Sequence, residues 1–169
     1  LTVVCHHMAT PNRPLISDPV LAKHRAFEIA KRCQDDHMDG NGWADTGQHF
    51  TVTRDGIVLE GRTGSLAAAM EGMCVRGAHA ADGGIDYNDS FGIECEGTYT
   101  ADVVPPRQMR ALVDLLAWLC FKCRIDTSTI LGHRDTGIAT ACPGDWLHSQ
   151  LPSIREQAHN AKIRLATNK

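Results

Sequence analysis

Thr2-Val3-Val4-Cys5-His6 is a short apolar run that ends in a polar side chain. Its apolar and β-branched residues predict a buried strand, and its end predicts a side chain held rigidly where the strand leaves the core. A second run, Ser90 to Glu96, predicts another strand, which enters the core through Phe91 and Ile93. These two strands indicate a central sheet.

Three more strands are predicted around this pair. Residues 48–54 alternate polar positions (His49, Thr51, Thr53) with apolar ones (Phe50, Val52). Asp55-Gly56 is a strong hairpin signal, so residues 57–59 are predicted to return beside that strand. Residues 129–131 predict a short strand that leads into Gly132-His133-Arg134-Asp135.

Four helices are predicted between the strands. Asp18-Pro19 offers an N-cap followed by Pro at the first helical position, and this helix is predicted to end near Gly40-Asn41-Gly42. Residues 65–70 predict a helix of small residues. Pro105-Pro106 begins a helix with one broad apolar face. The last helix is predicted from about Asp145 through Ala158, with a polar tail from Asn160 that frays.

This pattern predicts an α/β fold: one domain with a central mixed β-sheet flanked by helices. We assign residues 1–169 to it, with a core of about residues 2–158, and residues 77–88 to a surface loop. The chain opens without Met and directly in a strand. We therefore expect a domain excised from a longer polypeptide, or a processed one, and no signal peptide is visible.

Composition restricts the partners. The 169 residues are 43% hydrophobic and 22% charged with a formal net charge of −3, so neither nucleic acid nor an anionic membrane surface is expected. No apolar run approaches the roughly 20 residues of a membrane span. We expect a monomer. Of the seven cysteines, Cys5, Cys95, Cys120 and Cys123 are predicted to be buried hydrophobic residues.

Three residues are candidate metal ligands. His6 ends a strand, His133 follows a strand, and Cys142 precedes a Pro-Gly turn that would fix its thiolate in a loop. Two imidazoles and one thiolate suit zinc and leave a fourth position for water. Nine histidines and seven cysteines allow many other triples, so spacing alone leaves this set as one candidate.

A series of collinear segments makes the case more specific. They are 3–9 (VVCHHMA), 42–50 (GWADTGQHF) with 54–56 (RDG), 60–62 (EGR), 77–80 (GAHA), 88–97 (NDSFGIECEG), and 132–135 (GHRD) through 140–144 (TACPG). In this order they resemble the type 2 N-acetylmuramoyl-L-alanine amidases, a family that includes phage lysozyme-amidases and peptidoglycan recognition proteins. The resemblance extends from about residue 2 to residue 155.

The resemblance implies a zinc-dependent amidase that hydrolyses the amide bond between the lactyl group of the sugar and L-Ala in peptidoglycan. It also implies that His6, His133 and Cys142 are the Zn²⁺ ligands and that His7 is not a ligand. Gln48 departs from the family, because many members have a catalytic Tyr there. An amide cannot act as a general acid or base near neutral pH, so this loss is a sign of an inactive domain.

Glu94 offers a replacement for that function. The cytosolic anhydro-muropeptide amidases use a Glu in a Gly-Ile-Glu-x-Glu-Gly strand, and residues 92–97 match that pattern. Glu94 aligns with the catalytic residue, and Glu96, two positions on, is expected to project from the same sheet face as a supporting residue. The alternative for Glu94 is an ion-paired structural carboxylate.

The remaining candidates surround this centre. The resemblance places Thr140 where its hydroxyl can donate to a developing oxyanion, although a turn-forming Thr is the alternative. Gln48, His49 and His79 are the candidate substrate-binding residues, and a satisfied surface histidine is an equal alternative for each His. The mechanism expected is metal-assisted hydrolysis in which Glu94 moves the proton.

Two other functions are weighed against the enzyme. A non-catalytic peptidoglycan-binding recognition module is favoured by the missing Tyr and disfavoured by Cys142, which such relatives usually lack. A structural-zinc domain requires a fourth ligand, and no candidate lies beside the three. Either enzyme setting acts at the bacterial cell wall: the amidase domain of a phage endolysin, made in the host cytoplasm and released, or a secreted bacterial autolysin.

Overall fold

The protein is described by a computed structural model that covers residues 1–81 and 86–167. Its sheet has five strands: β1 (Val3–His7), β2 (Phe50–Val52), β3 (Val58–Glu60), β4 (Phe91–Cys95) and β5 (Ile130–Gly132). Their order in the sheet is β3-β2-β4-β1-β5. β1 pairs in parallel with both β4 and β5, β4 pairs in parallel with β2, and β2 and β3 form an antiparallel hairpin.

The strands divide the sheet into an apolar face and a polar face. Val3, Cys5 and the odd-numbered residues of β4 belong to the buried apolar core. The residues between them include His6 and Glu94, which line a cleft. Successive side chains of a strand point to opposite faces, so this alternation produces one core face and one site face.

The helices are α1 (Pro19–Asp35), α2 (Ser65–Met70), α3 (Pro106–Lys122), α4 (Asp145–Ser149) and α5 (Leu151–Thr167). α3 and α5 pack against each other and bring Leu112, Leu116, Leu119 and Ile154 into the core. The predicted mixed α/β domain, with a central sheet and flanking helices, is confirmed.

The first helix lies against the site face. Asp18 caps it by accepting hydrogen bonds from Val20 N and Leu21 N, at 2.8 and 2.9 Å, as the sequence predicts. A largely buried ion pair between Arg25 and Asp55 ties α1 to the β2–β3 turn. Only small side chains of α1 are buried (Ala22, Ala26 and Cys33), which leaves room for cavities beneath the helix.

The prediction of a single last helix from Asp145 was wrong. The structure has two helices, α4 and α5, separated at Gln150. Pro152 lacks a backbone N–H and fits only the first turn of a helix, so it starts α5 rather than continuing α4.

The prediction that the chain frays from Asn160 was also wrong. α5 continues to Thr167, because Ala161 extends its buried stripe and Lys162 Nζ donates to Ile125 O at 2.7 Å. Cys5, Cys95 and Cys120 are fully buried, as predicted, whereas Cys123 is only partly buried. Residues 82–85 of the predicted 77–88 loop lie outside the described residues. None of the described helices is long and apolar enough to cross a membrane.

A fully buried amide connects α3 to the sheet. Gln108 Nε2 donates to Val52 O and to Glu96 O, both at 2.9 Å, and its Oε1 pairs with the hydroxyl of Tyr99. These carbonyl groups belong to the ends of β2 and β4, next to the site face.

We expect Gln108→Met to lower the free energy of unfolding by about 1–3 kcal/mol, because it leaves buried polar groups without partners. Urea denaturation measures this change. The same replacement on the exposed surface of α5, Gln157→Met, should change stability by less than about 0.5 kcal/mol. Equal effects of the two substitutions would contradict the role of the buried amide.

Candidate metal centre and its cleft

The sheet register brings the site's strand residues together. His6 of β1 pairs with Glu94 of β4, and Glu94 pairs with Thr51 of β2. His133 follows Gly132, the β5 partner of Cys5. Residues in register on parallel strands share a face, so these side chains form a row across the sheet.

Three of the predicted residues form a compact cluster. Their possible ligand atoms, one each from His6, His133 and Cys142, all lie within 4.8 Å of one another. The imidazole centroids of His6 and His133 are 4.4 Å apart, and Cys142 Sγ lies 3.7 Å from His6 Nδ1. Among the described residues, no other group of three His, Cys, Asp or Glu side chains meets this geometry. The cluster can hold a metal ion.

The Cys142 loop is held in place by its own backbone contacts. Cys142 N donates to Thr140 Oγ1 at 3.1 Å, and His7 N lies 3.4 Å from the sulfur, directing a hydrogen bond to it. Gly144 has a φ of +91°, and a Cβ there would lie 2.3 Å from the Tyr99 backbone. The Pro-Gly turn predicted to fix the thiolate therefore requires glycine.

His6 makes one further polar contact, on the side away from Cys142. Its Nε2 lies 3.0 Å from Nδ1 of His79, and His79 Nε2 lies 2.9 Å from the carbonyl oxygen of Ser90. The carbonyl can only accept, so His79 Nε2 carries its proton. His79 Nδ1 is then the acceptor and His6 Nε2 the donor, which leaves the lone pair of His6 on Nδ1, facing Cys142.

Burial sets the protonation of the cluster. It lowers the pKa of His6 well below its usual range, with His79 and His133 adding to the effect, and lowers the pKa of His79 to about 4. Burial also lowers the pKa of His133 and raises that of Cys142 to about 12. The imidazoles are neutral near pH 7, the state in which histidine binds metals.

These residues fit a bound cation on two counts. His133 Nε2 is buried and has no hydrogen-bond partner among the described residues. A thiol with a pKa near that of Cys142 keeps its proton at neutral pH unless a cation replaces it. A cation at the cluster would satisfy the orphaned nitrogen and stabilise the thiolate.

Glu94 lies beside the cluster and has few polar neighbours. Its Oε2 is 3.7 Å from the sulfur of Cys33, which in turn receives a hydrogen bond from Gln48 Nε2 at 3.3 Å. Burial raises the pKa of Glu94 to about 7. No ion pair of Glu94 occurs among the described residues, so the alternative of an ion-paired structural carboxylate finds no support.

A cleft of about 370 Å³ opens over the cluster. Its walls bring together most of the predicted site residues: His6, His133, Cys142, Glu94, Thr140, Gln48 and His79. A second cavity of about 160 Å³ continues past Glu94 beneath α1, and Glu96 lines it together with Glu94, as expected for one sheet face. Glu96 supports the backbone instead of a metal ligand, because its Oε2 accepts from Arg54 N at 2.8 Å.

His49 is not brought into the cleft. Its ring is fully buried, with Nε2 donating to Val75 O at 2.7 Å and Nδ1 accepting from Gly92 N at 2.9 Å. Backbone groups occupy both nitrogens, so the ring fastens the start of β2 to its neighbours. The expectation that His49 lines a substrate groove does not agree with this position.

Sequence reasoning gave no role to three residues around the site. Cys33 lines the second cavity beside Glu94, and His37 and Trp43 line the cleft. The ring centroids of His37 and Trp43 are 4.9 Å apart. His37 accepts from Gly47 N, which holds the 42–50 motif against the end of α1. Trp43 belongs to the 42–50 motif, but the motif alone does not predict its contact with His37 or its place in the cleft.

The fold and the site define a class of small α/β domain with a His-His-Cys cluster in an open cleft. A family model described as N-acetylmuramoyl-L-alanine amidase matches residues 1–145. The chain belongs to this N-acetylmuramoyl-L-alanine amidase family, as the sequence motifs indicated.

Curated relatives include both amidases and recognition proteins. An N-acetylmuramoyl-L-alanine amidase from Sus scrofa is 31% identical over 163 residues, which are 95% of this chain and 24% of the relative. Peptidoglycan-recognition protein SC2 from Drosophila simulans is 37% identical over 115 residues, 68% of this chain and 55% of the relative. The chain therefore spans about a quarter of the length of the Sus scrofa amidase and about half of the length of the Drosophila simulans protein.

A solved structure agrees in fold. The wild-type Drosophila protein PGRP-LB superposes with a TM-score of 0.71 at 30% identity, covering 90% of this chain and 79% of that one. The predicted amidase and recognition-protein fold is confirmed.

The pKa of Glu94 predicts a pH dependence of stability. The folded value is about 7 and the ordinary value is 4.5, so between them the folded state binds more protons than the unfolded state. Stability of the metal-free protein therefore falls as pH rises through this window. We expect Glu94→Gln to gain stability relative to wild type between pH 4.5 and 7, with a constant difference above that range.

Denaturation of chelator-treated protein at a series of pH values tests this expectation. Glu156→Gln, on the exposed surface of α5, gives the reference for removing one carboxylate. A stability difference for Glu94→Gln that is independent of pH would show that burial does not perturb this carboxyl.

Proposed function

We propose that this domain is a zinc-dependent N-acetylmuramoyl-L-alanine amidase that hydrolyses the lactyl–L-Ala amide bond of peptidoglycan. The observation that carries the proposal is the row in which Glu94 stands beside the His6–His133–Cys142 cluster, open to one cleft. Family membership supplies the substrate class, and the site residues supply the chemistry.

His6, His133 and Cys142 would hold the zinc ion. Two neutral imidazoles and a thiolate suit zinc, and three protein ligands leave a position open to the cleft. When bound, zinc supplies Lewis acidity for the amide carbonyl group and makes water more acidic. A thiolate donates more charge than an imidazole, so a protein base is still needed for the proton.

Glu94 is the proposed general base and acid. Its raised pKa, about 7, matches the pH at which it must both take and return a proton. As a carboxylate it removes the proton of the attacking water. As a carboxylic acid it delivers that proton to the nitrogen of L-Ala when the C–N bond breaks.

Thr140 and Gln48 are proposed to contact the reacting amide. Thr140 Oγ1 accepts from Cys142 N, which leaves the hydroxyl proton free to donate to the oxyanion. Gln48 Oε1 is buried without a partner among the described residues, and Gln48 lines the cleft. An amide cannot transfer a proton near neutral pH, so Gln48 is proposed to serve binding rather than proton transfer. His79 lines the same cleft beside His6.

The domain is proposed to act on peptidoglycan at the bacterial cell wall. Both kinds of relative reported above carry names that refer to peptidoglycan or its amide bond. The second candidate function is a non-catalytic recognition module, and the observation that favours it is Gln48 at the position of the family's Tyr.

Release of stem peptide from a defined muramoyl-peptide, followed by mass spectrometry, separates the two functions. We expect release that stops when a chelator removes the metal and returns when zinc is added. Glu94→Gln should lower kcat by about 100- to 10,000-fold, because the proton carrier is lost.

The matched controls are zinc content and the Glu156→Gln variant. Both glutamine variants should bind one zinc ion, and Glu156→Gln should keep full activity. Full activity of zinc-loaded Glu94→Gln would remove the base assignment. Binding without release by the zinc-loaded wild type, on intact sacculi as well, would establish the recognition module.

Thr140 can be tested with an isosteric pair. Thr140→Val removes the hydroxyl and keeps the shape, whereas Thr140→Ser keeps the hydroxyl. We expect kcat of the Val variant to fall by about 100-fold with little change in KM, because the hydrogen bond forms to charge that develops in the transition state. The Ser variant should retain most activity. Equal activity of the two variants would exclude the oxyanion role.

A further inference from the structure

We propose that His79 is a positioning residue for metal binding: its Nδ1 accepts the Nε2 proton of His6 and thereby presents His6 Nδ1 to the metal. This inference rests on the metal-site part of the proposed function, and it assigns His79 a role beyond lining the cleft. The contacts that carry it are the 3.0 Å approach of His6 Nε2 to His79 Nδ1 and the 2.9 Å approach of His79 Nε2 to Ser90 O.

The donor and acceptor roles in these two hydrogen bonds follow from the Ser90 carbonyl group. The Ser90 carbonyl has no proton to give, so the proton of the outer hydrogen bond belongs to His79 Nε2. A neutral imidazole has one protonated nitrogen, and His79 Nδ1 is therefore the acceptor for His6. The protein thus selects one tautomer of His6 before any metal arrives, and a wrong tautomer would place a proton where the ion binds.

The surroundings hold the His79 ring in this place. A Cβ at Gly92 would lie 2.5 Å from the ring, and one at Gly77 would lie 2.8 Å from it, so both glycines leave the space that the ring fills. Asn88 Oδ1 accepts from the backbone N–H groups of His79 and Ala80 at 2.7 and 2.9 Å. The ring meets the His6 ring edge-on, with centroids 5.1 Å apart.

His49 provides the internal comparison. It is as deeply buried as His6, and its ring lies 5.4 Å from that of His79. Its Nε2 donates to Val75 O and lies 3.3 Å from the sulfur of Cys74, and its Nδ1 accepts from Gly92 N. Neither nitrogen of this structural histidine contacts a candidate metal ligand, whereas one nitrogen of His79 hydrogen-bonds His6.

The tautomers can be read directly in the wild-type protein. Long-range ¹H–¹⁵N correlation spectra of the metal-free form should show both His6 and His79 protonated on Nε2. On titration with zinc alone, His6 Nδ1 should carry the coordination shift. A metal-free His6 protonated on Nδ1, or zinc on His6 Nε2, would overturn the proposal without any variant having to fold.

A pair of variants measures the energetic consequence by chelator competition. His79→Phe fills the ring's space without an acceptor, and should weaken zinc binding by about 10- to 100-fold, the usual loss when the outer partner of a metal ligand is removed. His79→Asn places an amide oxygen near the position of Nδ1 and should recover much of that loss. Equal weakening in both variants would mean that the ring acts through packing alone.

The matched control is His49→Phe, which removes a buried histidine whose nitrogens contact the backbone and the sulfur of Cys74 but no candidate metal ligand. We expect it to lower stability and to leave the zinc dissociation constant of the folded protein unchanged. A loss of zinc affinity equal to that of His79→Phe would overturn the specific role of His79. None of these measurements depends on hydrolysis. They therefore test this inference even if the domain binds zinc and peptidoglycan without cleaving the peptidoglycan.

Discussion

The site depends on the parallel register of β1 between β4 and β5. This register sets His6 opposite Glu94 and brings His133 one residue beyond the partner of Cys5. Because side chains alternate along a strand, a slip by one residue would turn His6 into the core and expose its apolar neighbours to the cleft. The apolar face under α3 and α5 excludes that slip, so the packing that stabilises the domain also positions its chemistry.

The polar face contains buried ionisable groups. Their burial opposes folding and shifts their pKa values. Burial keeps the histidines neutral, holds the proton on the Cys142 thiol and raises the pKa of Glu94 to about 7. A buried ionisable group without a partner opposes folding, so the core on the opposite face must offset this cost. The same burial leaves neutral imidazoles with lone pairs available to a metal and a carboxyl that titrates near neutral pH, whereas the Cys142 thiol needs a bound cation to give up its proton.

Local pattern predicted the elements whose signals are local. The Asp18-Pro19 cap, the Asp55-Gly56 turn and the start of α3 at Pro106 were read from neighbouring residues, and the structure has each of them. The pattern failed where a contact with a distant part of the sequence decides the local structure. α5 extends past Asn160 because Ala161 and Lys162 find partners on other elements. His49 shares the parity of Thr51 but not its surroundings, since β2 begins only at Phe50.

The sequence by itself indicated the family and the two faces of the sheet, because motifs and alternation lie in short runs of consecutive residues. Through the family resemblance it also indicated the three residues of the candidate metal cluster. Only the tertiary structure decided that His79 hydrogen-bonds His6, that Cys33 and Gln48 adjoin Glu94, and that His49 is fastened to the backbone. These contacts join segments that are up to 73 residues apart. A side chain's chemical role in this domain is set by which nitrogen, sulfur or oxygen faces it, and that depends on how strands and loops pack.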